Sequence, residues 1–176
     1  MLDFLTGVQS QLNNILLFRN IFSMRKTLKR AFLLPLDYYS RSGKASLPPL
    51  AINLLVTLRC NAHCKVCSFR DVLNIGVDEL TIDEIKKFVQ DIARHKPSIF
   101  LGGGEPFIRK DIFEIIRVIK GYGLACGIIT NGLLLDENKI QQLIALNVEY
   151  IAFSLHGPEE IHDGITGIKG AYKRLL

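Results

Sequence analysis

The stretch AINLLVTLRCNAHCKVC, residues 51–67, joins an apolar run to three closely spaced cysteines. The run from Ala51 to Leu58 has the length and the branched apolar residues of a buried β-strand. Cys60, Cys64 and Cys67 follow at once, so they lie in the loop at the carboxyl end of that strand. In parallel α/β folds this end of the sheet carries the active site. The three thiols are therefore the first candidates for a functional site.

Downstream of the cysteines, short apolar runs alternate with amphipathic segments, a pattern that indicates parallel βα units. Thr81 and Glu84 have the spacing of a capping box, which predicts that a helix begins there and runs to about Arg94. The other predicted helices cover residues 111–122 and 137–146, a further helix begins before residue 176, and the other predicted strands cover residues 98–101, 124–130 and 149–155.

These elements amount to about four βα units, because one βαβ unit takes roughly 30 residues. An eight-stranded barrel typically takes about 250 residues. We therefore predict an α/β fold in the form of a partial (βα) TIM-type barrel with an N-terminal helical extension. Four parallel strands cannot close and would expose an unpaired edge. We accordingly expect a truncated chain or one half of a split protein.

The composition is that of a globular protein, with 48% of the 176 residues hydrophobic and 22% charged. Three of the four cysteines are clustered, and the fourth, Cys126, lies in an apolar run. Clustered thiols without a secretory signal indicate metal ligands in a reducing compartment, not a disulfide framework. A buried free cysteine behaves as a small hydrophobe. We therefore expect a cytoplasmic protein in which Cys126 belongs to the core.

Residues 40–49 have the Gly and Pro content of a linker. We therefore divide the chain into a basic helical extension with its linker, residues 1–47, and the predicted core domain, residues 48–176. Residues 1–50 carry seven Lys or Arg against Asp3 and Asp37, so the whole net charge of +5 lies there. From Leu5 onward apolar residues recur at spacings of three and four, which indicates an amphipathic basic helix. The extension shows no signal for nucleic-acid binding.

Two roles are open for this basic extension. It docks at the periphery of an anionic membrane through residues 1–45, as amphipathic helices with Lys and Arg do, or it packs its apolar stripe on the main domain. Its longest uncharged stretch is too short and too polar to span a bilayer.

The three cysteines suit one face of a [4Fe-4S] cluster. Such clusters usually have four cysteine ligands, so three thiolates leave one iron without a protein ligand. An open coordination position lets a small molecule bind the metal directly. The alternative is a structural zinc site in which His63 or another residue is the fourth ligand. His63 itself is expected to face solvent.

Polar and glycine-rich motifs follow the other predicted strands. Gly102-Gly103-Gly104-Glu105 comes after the second strand, Thr130-Asn131-Gly132 after the third, and Ser154 at the end of the fourth. Glycines let a backbone approach a ligand closely, and a carboxylate accepts hydrogen bonds from an ammonium group. Each motif also has an ordinary explanation, as a turn or as a hydroxyl that bonds nearby backbone.

The Cys-x3-Cys-x2-Cys spacing resembles the motif of the radical S-adenosylmethionine (SAM) superfamily, and the resemblance covers residues 51–176. It implies a [4Fe-4S] cluster on Cys60, Cys64 and Cys67, with the amino and carboxylate groups of SAM on the open iron. Reductive cleavage of SAM would then give methionine and a 5′-deoxyadenosyl radical that removes hydrogen from a substrate. The resemblance implies an electron donor such as ferredoxin or flavodoxin, and no catalytic residue beyond the cluster ligands.

The resemblance also implies residues that contact SAM. Gly103, Gly104 and Glu105 match the motif that holds its amino group, and Asn131 and Ser154 match further polar contacts. Val66 stands where the family usually has an aromatic residue against the adenine, and Thr166 stands where many relatives carry Arg.

Some features leave alternatives open. His156 and His162 could line the same pocket, but loop histidines are more often solvated, so they are assigned no role. The substrate, a small molecule or a peptide, cannot be read from the sequence. The alternative function is a non-catalytic iron-sulfur or zinc-binding module, or an inactive fragment, that acts as a partner subunit.

Overall fold

The computed structural model describes residues 48–176, and the chain divides between Pro48 and Pro49. The predicted basic helix and its two alternative roles lie outside the described residues and stay predictions. Of the helices in the described range, none is long and apolar enough to cross a bilayer.

Strands and helices alternate along the described chain. The strands are β1 (Ala51–Thr57), β2 (Ser98–Gly103), β3 (Ala125–Thr130) and β4 (Tyr150–Phe153). The helices are α1 (Ile82–Ala93), α2 (Ile112–Gly121), α3 (Glu137–Ala145), α4 (Glu159–Thr166) and α5 (Ala171–Leu175), with a single 3₁₀ turn at Pro106–Ile108. The predicted order is confirmed. β2 runs two residues further than predicted because Gly102 and Gly103 still pair with β1, and β4 is shorter than predicted.

The sheet has the order β1-β2-β3-β4, and every neighbouring pair is parallel. Since successive side chains of a strand point to opposite faces, each strand divides its residues between two environments. Ile99, Leu101 and Ile128 are fully buried in the core that also contains Ile115 and Ile119 of α2. Residues next to them in the same strands, such as Phe100 and Ile129, line a cavity on the other face. The predicted partial barrel of parallel βα units is confirmed.

The first crossover helix begins where the sequence predicts. Thr81 Oγ1 accepts a hydrogen bond from the backbone N–H of Glu84, and the Glu84 carboxylate accepts one from the N–H of Thr81, which completes a capping box. Ile85 and Val89 are fully buried on the inner face of this helix. The cap thus fixes where α1 begins, and the apolar residues Ile85 and Val89 decide which face packs into the core.

Cys126 belongs to the core, as predicted. Its side chain is fully buried, and burial raises the pKa of its thiol to about 12. A thiol in that environment is a poor metal ligand, because the thiolate is the form that binds metals.

Candidate functional site

A cavity of about 340 Å³ lies at the carboxyl ends of the strands. Cys60, Cys64 and Cys67 all line it, and Gly103 and Gly104 line it too. Parallel strands bring the loops that follow them to one edge of the sheet. Motifs far apart in the sequence are therefore neighbours in space.

The backbone of the cysteine loop is held without the thiols. The Asn74 side chain accepts a hydrogen bond from the N–H of Cys60 at 2.9 Å and donates one to its carbonyl at 3.2 Å. The N–H of Lys65 donates to the carbonyl of Ile165 at 2.9 Å, and the N–H of Cys67 to that of Cys64 at 3.2 Å. All three thiols are partly exposed and stay available to a metal.

The thiols also lie near enough to influence one another. Burial raises the pKa of Cys60 above its ordinary value, and it also raises the pKa of Cys64, to which the neighbouring Cys60 and Cys67 add. In their thiolate forms these groups would repel each other. A positively charged iron core would stabilise all three, and binding it would release protons. The donor set therefore fits an iron-sulfur cluster.

The zinc alternative for the three cysteines stays a prediction. Within residues 48–176, no group of three or more His, Cys, Asp or Glu side chains is close enough together to hold one metal ion. His63 is exposed, as expected.

The glycines let β2 approach the segment that precedes the cysteines. Gly104 N–H donates to the carbonyl of Thr57 at 2.8 Å, and Glu105 N–H to that of Arg59 at 2.8 Å. A Cβ on Gly103 would lie 2.2 Å from Thr57 O, and one on Gly104 would lie 2.1 Å from Arg59 O. Gly103 also has a φ of +111°, which favours glycine. The sequence suggested that the glycines make room for a ligand; in the structure they also make room for the cysteine-bearing backbone.

Glu105 has a different position from the other predicted SAM contacts. Its side chain is fully buried and does not line the cavity. The carboxylate accepts hydrogen bonds from Thr130 Oγ1 at 2.8 Å, from the N–H of Asn131 at 2.8 Å and from the N–H of Phe107 at 3.2 Å. Burial raises the pKa of Glu105, and these hydrogen bonds oppose the rise. A direct contact between this carboxylate and SAM stays a prediction.

The other predicted contacts line the cavity. They are Gly103, Gly104, Asn131, Ser154 and Val66. Asn131 Nδ2 donates to Asn61 Oδ1 at 2.8 Å, and Ser154 N–H donates to the carbonyl of Thr130 at 3.0 Å. Val66 is 60% exposed and leaves its face free for a ring. The structure thus gathers five of the six residues around the three thiols.

Of the two histidines after β4, one differs from expectation. His162 is 1% exposed, so the expectation of a solvated ring is wrong for it. Its ring stacks on that of His156 with the centroids 5.6 Å apart, and its Nδ1 accepts the N–H of His156 at 3.3 Å. The helix that begins at Glu159 carries His162 inward. His156 and Thr166 line the cavity.

Sequence reasoning missed Arg109, which holds the end of β1 just before the cysteine loop. Its side chain is 4% exposed. The guanidinium donates to the carbonyl of Val56 at 2.8 Å, to that of Leu80 at 3.0 Å, and to both oxygens of Asp111. The pairing of Arg109 with Asp111 two residues on was the available signal, but nothing in the sequence points to Val56.

Glu79 extends this support to the residues just before Cys60. It accepts two hydrogen bonds from Arg59, at 2.8 and 2.9 Å, and a short one from Thr57 Oγ1. Hydrogen bonding to Arg59 is the main reason why the pKa of Glu79 is lowered. Sequence reasoning did not single out Glu79, Thr57 or Asn61.

Comparison with known proteins identifies the family. The sequence profile of the radical SAM superfamily matches residues 54–176. The chain is 37% identical over 130 residues to the AdoMet-dependent heme synthase of Methanosarcina barkeri, which covers 73% of this chain and 37% of that protein. It is 32% identical over 130 residues to the PqqA peptide cyclase of Bradyrhizobium diazoefficiens, and this match covers 73% of this chain and 34% of that protein.

A solved structure agrees with the fold. The protein anSMEcpe with bound AdoMet, which is SAM, superposes with a TM-score of 0.61 at 22% identity, covering 73% of this chain and 38% of that one. The chain spans about a third of the length of the curated relatives that it matches. From the cysteine motif, the fold and these matches, the chain belongs to the radical SAM superfamily, whose members use a [4Fe-4S] cluster and SAM.

Proposed function

We propose that this chain carries the cluster- and SAM-binding part of a radical SAM enzyme. One observation supports this most: the thiols of Cys60, Cys64 and Cys67 line the same cavity as the backbone of Gly103 and Gly104. In the family, the two cofactors together supply the reductive cleavage of SAM, which yields a 5′-deoxyadenosyl radical that removes a hydrogen atom from a substrate.

The residues divide the binding work between them. The three thiolates hold the cluster, and the backbone of Gly103 and Gly104 lies beside the place where a ligand of the open iron would bind. Asn131 and Ser154 offer polar groups to the same cavity. Val66, Phe69 and Leu73 add an apolar wall that limits the access of water, which protects a reactive species from side reactions.

The substrate class is proposed only broadly. The relatives reported above include a heme synthase and a PqqA peptide cyclase. We accordingly propose a small-molecule or peptide substrate, with the electron supplied by a carrier such as ferredoxin or flavodoxin.

The proposal is tested by anaerobic reconstitution of the whole chain with iron and sulfide. We expect equal amounts of bound iron and sulfide, an electron paramagnetic resonance (EPR) signal of the reduced cluster that changes when SAM is added, and formation of 5′-deoxyadenosine. Replacement of Cys60, Cys64 and Cys67 by Ala should abolish all three. The matched control is Cys126→Ala, which should keep the cluster because that thiol is buried away from the cavity.

Other outcomes point to the alternative functions. A cluster whose spectrum ignores SAM would indicate a non-catalytic iron-sulfur module, and a colourless zinc protein would overturn the cluster itself. A cluster that responds to SAM but forms no 5′-deoxyadenosine would limit this chain to cofactor binding.

A further inference from the structure

We propose that Glu105 is a positioning residue for the cluster. Its buried carboxylate fixes the turn at Thr130 and Asn131, and the Asn131 side chain then holds the cysteine loop at Asn61. This inference rests on the proposed function, because it concerns how that cluster is held.

The first step is the saturation of the carboxylate. Oε1 accepts from Thr130 Oγ1 at 2.8 Å and from the N–H of Phe107 at 3.2 Å, and Oε2 accepts from the N–H of Asn131 at 2.8 Å. The whole residue is 0% exposed. Both oxygens are thus engaged with the protein, and neither faces the cavity.

The second step is the rigidity of the turn after β3. Thr130 Oγ1 donates to Glu105 and also accepts the N–H of Gly132 at 3.0 Å. Asn131 Oδ1 accepts the N–H of Leu133 at 2.9 Å, which orients its amide group. The hydroxyl and the amide therefore lock the turn from both sides, and Glu105 anchors it to the end of β2.

The third step connects the turn to the metal ligands. With its oxygen engaged by Leu133, the Asn131 amide directs Nδ2 to Asn61 Oδ1 at 2.8 Å. Asn61 is the residue directly after Cys60. The hydrogen-bonded path thus runs from the buried carboxylate through one turn to the first cluster ligand.

This path separates a positioning role from direct contact with SAM. A residue that only binds SAM leaves the SAM-free cluster unchanged when it is replaced. A residue that positions the cysteine loop alters the surroundings of the cluster before SAM is added, and hydrogen bonding around cluster sulfurs tunes their properties. The EPR spectrum of the reduced, SAM-free cluster reports this difference.

The test compares Glu105→Gln, Asn61→Ala and the double variant in the reconstituted whole chain. Both oxygens of Glu105 accept hydrogen bonds, so in Glu105→Gln the side-chain NH₂ replaces one of these acceptors in either orientation of the amide and faces a donor. We expect each single variant to keep its iron, to shift the EPR signal of the SAM-free cluster, and to weaken SAM binding roughly tenfold, the factor for one unsatisfied buried hydrogen bond. In the double variant, SAM affinity should fall by less than the product of the two single-variant factors, because both substitutions break the same hydrogen-bonded path.

Glu149→Gln is the matched control. The Glu149 side chain is 7% exposed and its carboxylate accepts the N–H of Cys126 at 2.7 Å, at the opposite end of β3. This variant should lower stability without any change in the EPR signal or in SAM affinity.

The proposal is overturned if Glu105→Gln leaves the EPR signal of the SAM-free cluster unchanged. It is also overturned if the losses of SAM affinity in Glu105→Gln and Asn61→Ala multiply fully in the double variant, as expected for a direct SAM ligand. Should Glu105→Gln not fold, Thr130→Val removes one donor to the carboxylate and is judged by the same two criteria. A wild-type chain that assembles no SAM-responsive cluster would instead refute the proposed function, so the two failures are distinct.

Discussion

Strands β1 and β3 end in the same local arrangement. Thr57 and Thr130 are both 2% exposed, and each hydroxyl accepts a backbone N–H from two residues further on at 3.0 Å. Each hydroxyl also donates to a glutamate, Glu79 in the first case and Glu105 in the second. One hydrogen-bonding pattern thus supports both sides of the cysteine loop.

The two glutamates differ in the charge that surrounds them. Arg59 and Arg109 lie against Glu79, so its pKa is lowered. In the described part of the chain, the hydrogen-bond donors to Glu105 are all neutral, and burial raises its pKa. The comparison teaches that the same threonine-glutamate pair can be stabilised in two ways. At Glu79 the other partners are charged arginines, and at Glu105 all hydrogen-bond donors are neutral.

The largest expected effect comes from removing the ionic side. Arg109→Met leaves the carbonyls of Val56 and Leu80 without their donor and Asp111 without its partner, and should cost about 3 kcal/mol of unfolding free energy. Arg109→Lys is the control, because it keeps the charge but loses the planar fork; it should cost less. Urea unfolding of the metal-free chain measures both. Equal free energies of unfolding for Arg109→Met and wild type would show that the contacts of Arg109 do not stabilise the fold.

A smaller effect is expected where the two sides meet. Gly104→Ala would place a Cβ 2.1 Å from the carbonyl of Arg59 and push the glycine segment away from the cysteine loop, at a cost of about 2 kcal/mol. Iron content after reconstitution should fall with it. Gly121→Ala, where nothing lies within 4 Å of the added atom, should be neutral or slightly stabilising. If both variants behaved alike in unfolding and iron content, close approach at Gly104 would not matter.

The smallest effect is a pH dependence of opposite sign on the two sides. The stability that Glu79 contributes is present above its ordinary pKa of 4.5 and is lost as the pH falls through its lowered value. For Glu105, with a raised pKa, stability is greatest at low pH and is lost as the pH rises through that value.

The measurement is the unfolding free energy of the metal-free wild type, Glu79→Gln and Glu105→Gln between about pH 7 and about pH 3. The deficit of Glu79→Gln relative to wild type should shrink as the pH falls, and that of Glu105→Gln should grow. The change for Glu79→Gln should be below about 1 kcal/mol, since solvent screens the partly exposed pair of Glu79 with Arg59. Deficits that move in the same direction would contradict the comparison.

The sequence alone determined the features that depend on local pattern. The capping box at Thr81, the apolar runs of the strands and the spacing of Cys60, Cys64 and Cys67 each reflect neighbours in the chain, so they predicted the elements and the cluster ligands. The parallel βα order then placed the motifs at one edge of the sheet.

Only the tertiary structure decided what each polar side chain contacts. Glu105 has the sequence signature of a ligand-binding residue, yet its carboxylate bonds to Thr130 and Asn131, which are 25 and 26 residues away. Arg109 reaches Val56 over 53 residues, and Asn131 reaches Asn61 over 70. Such contacts depend on the register of neighbouring strands and on burial, and local sequence patterns carry neither.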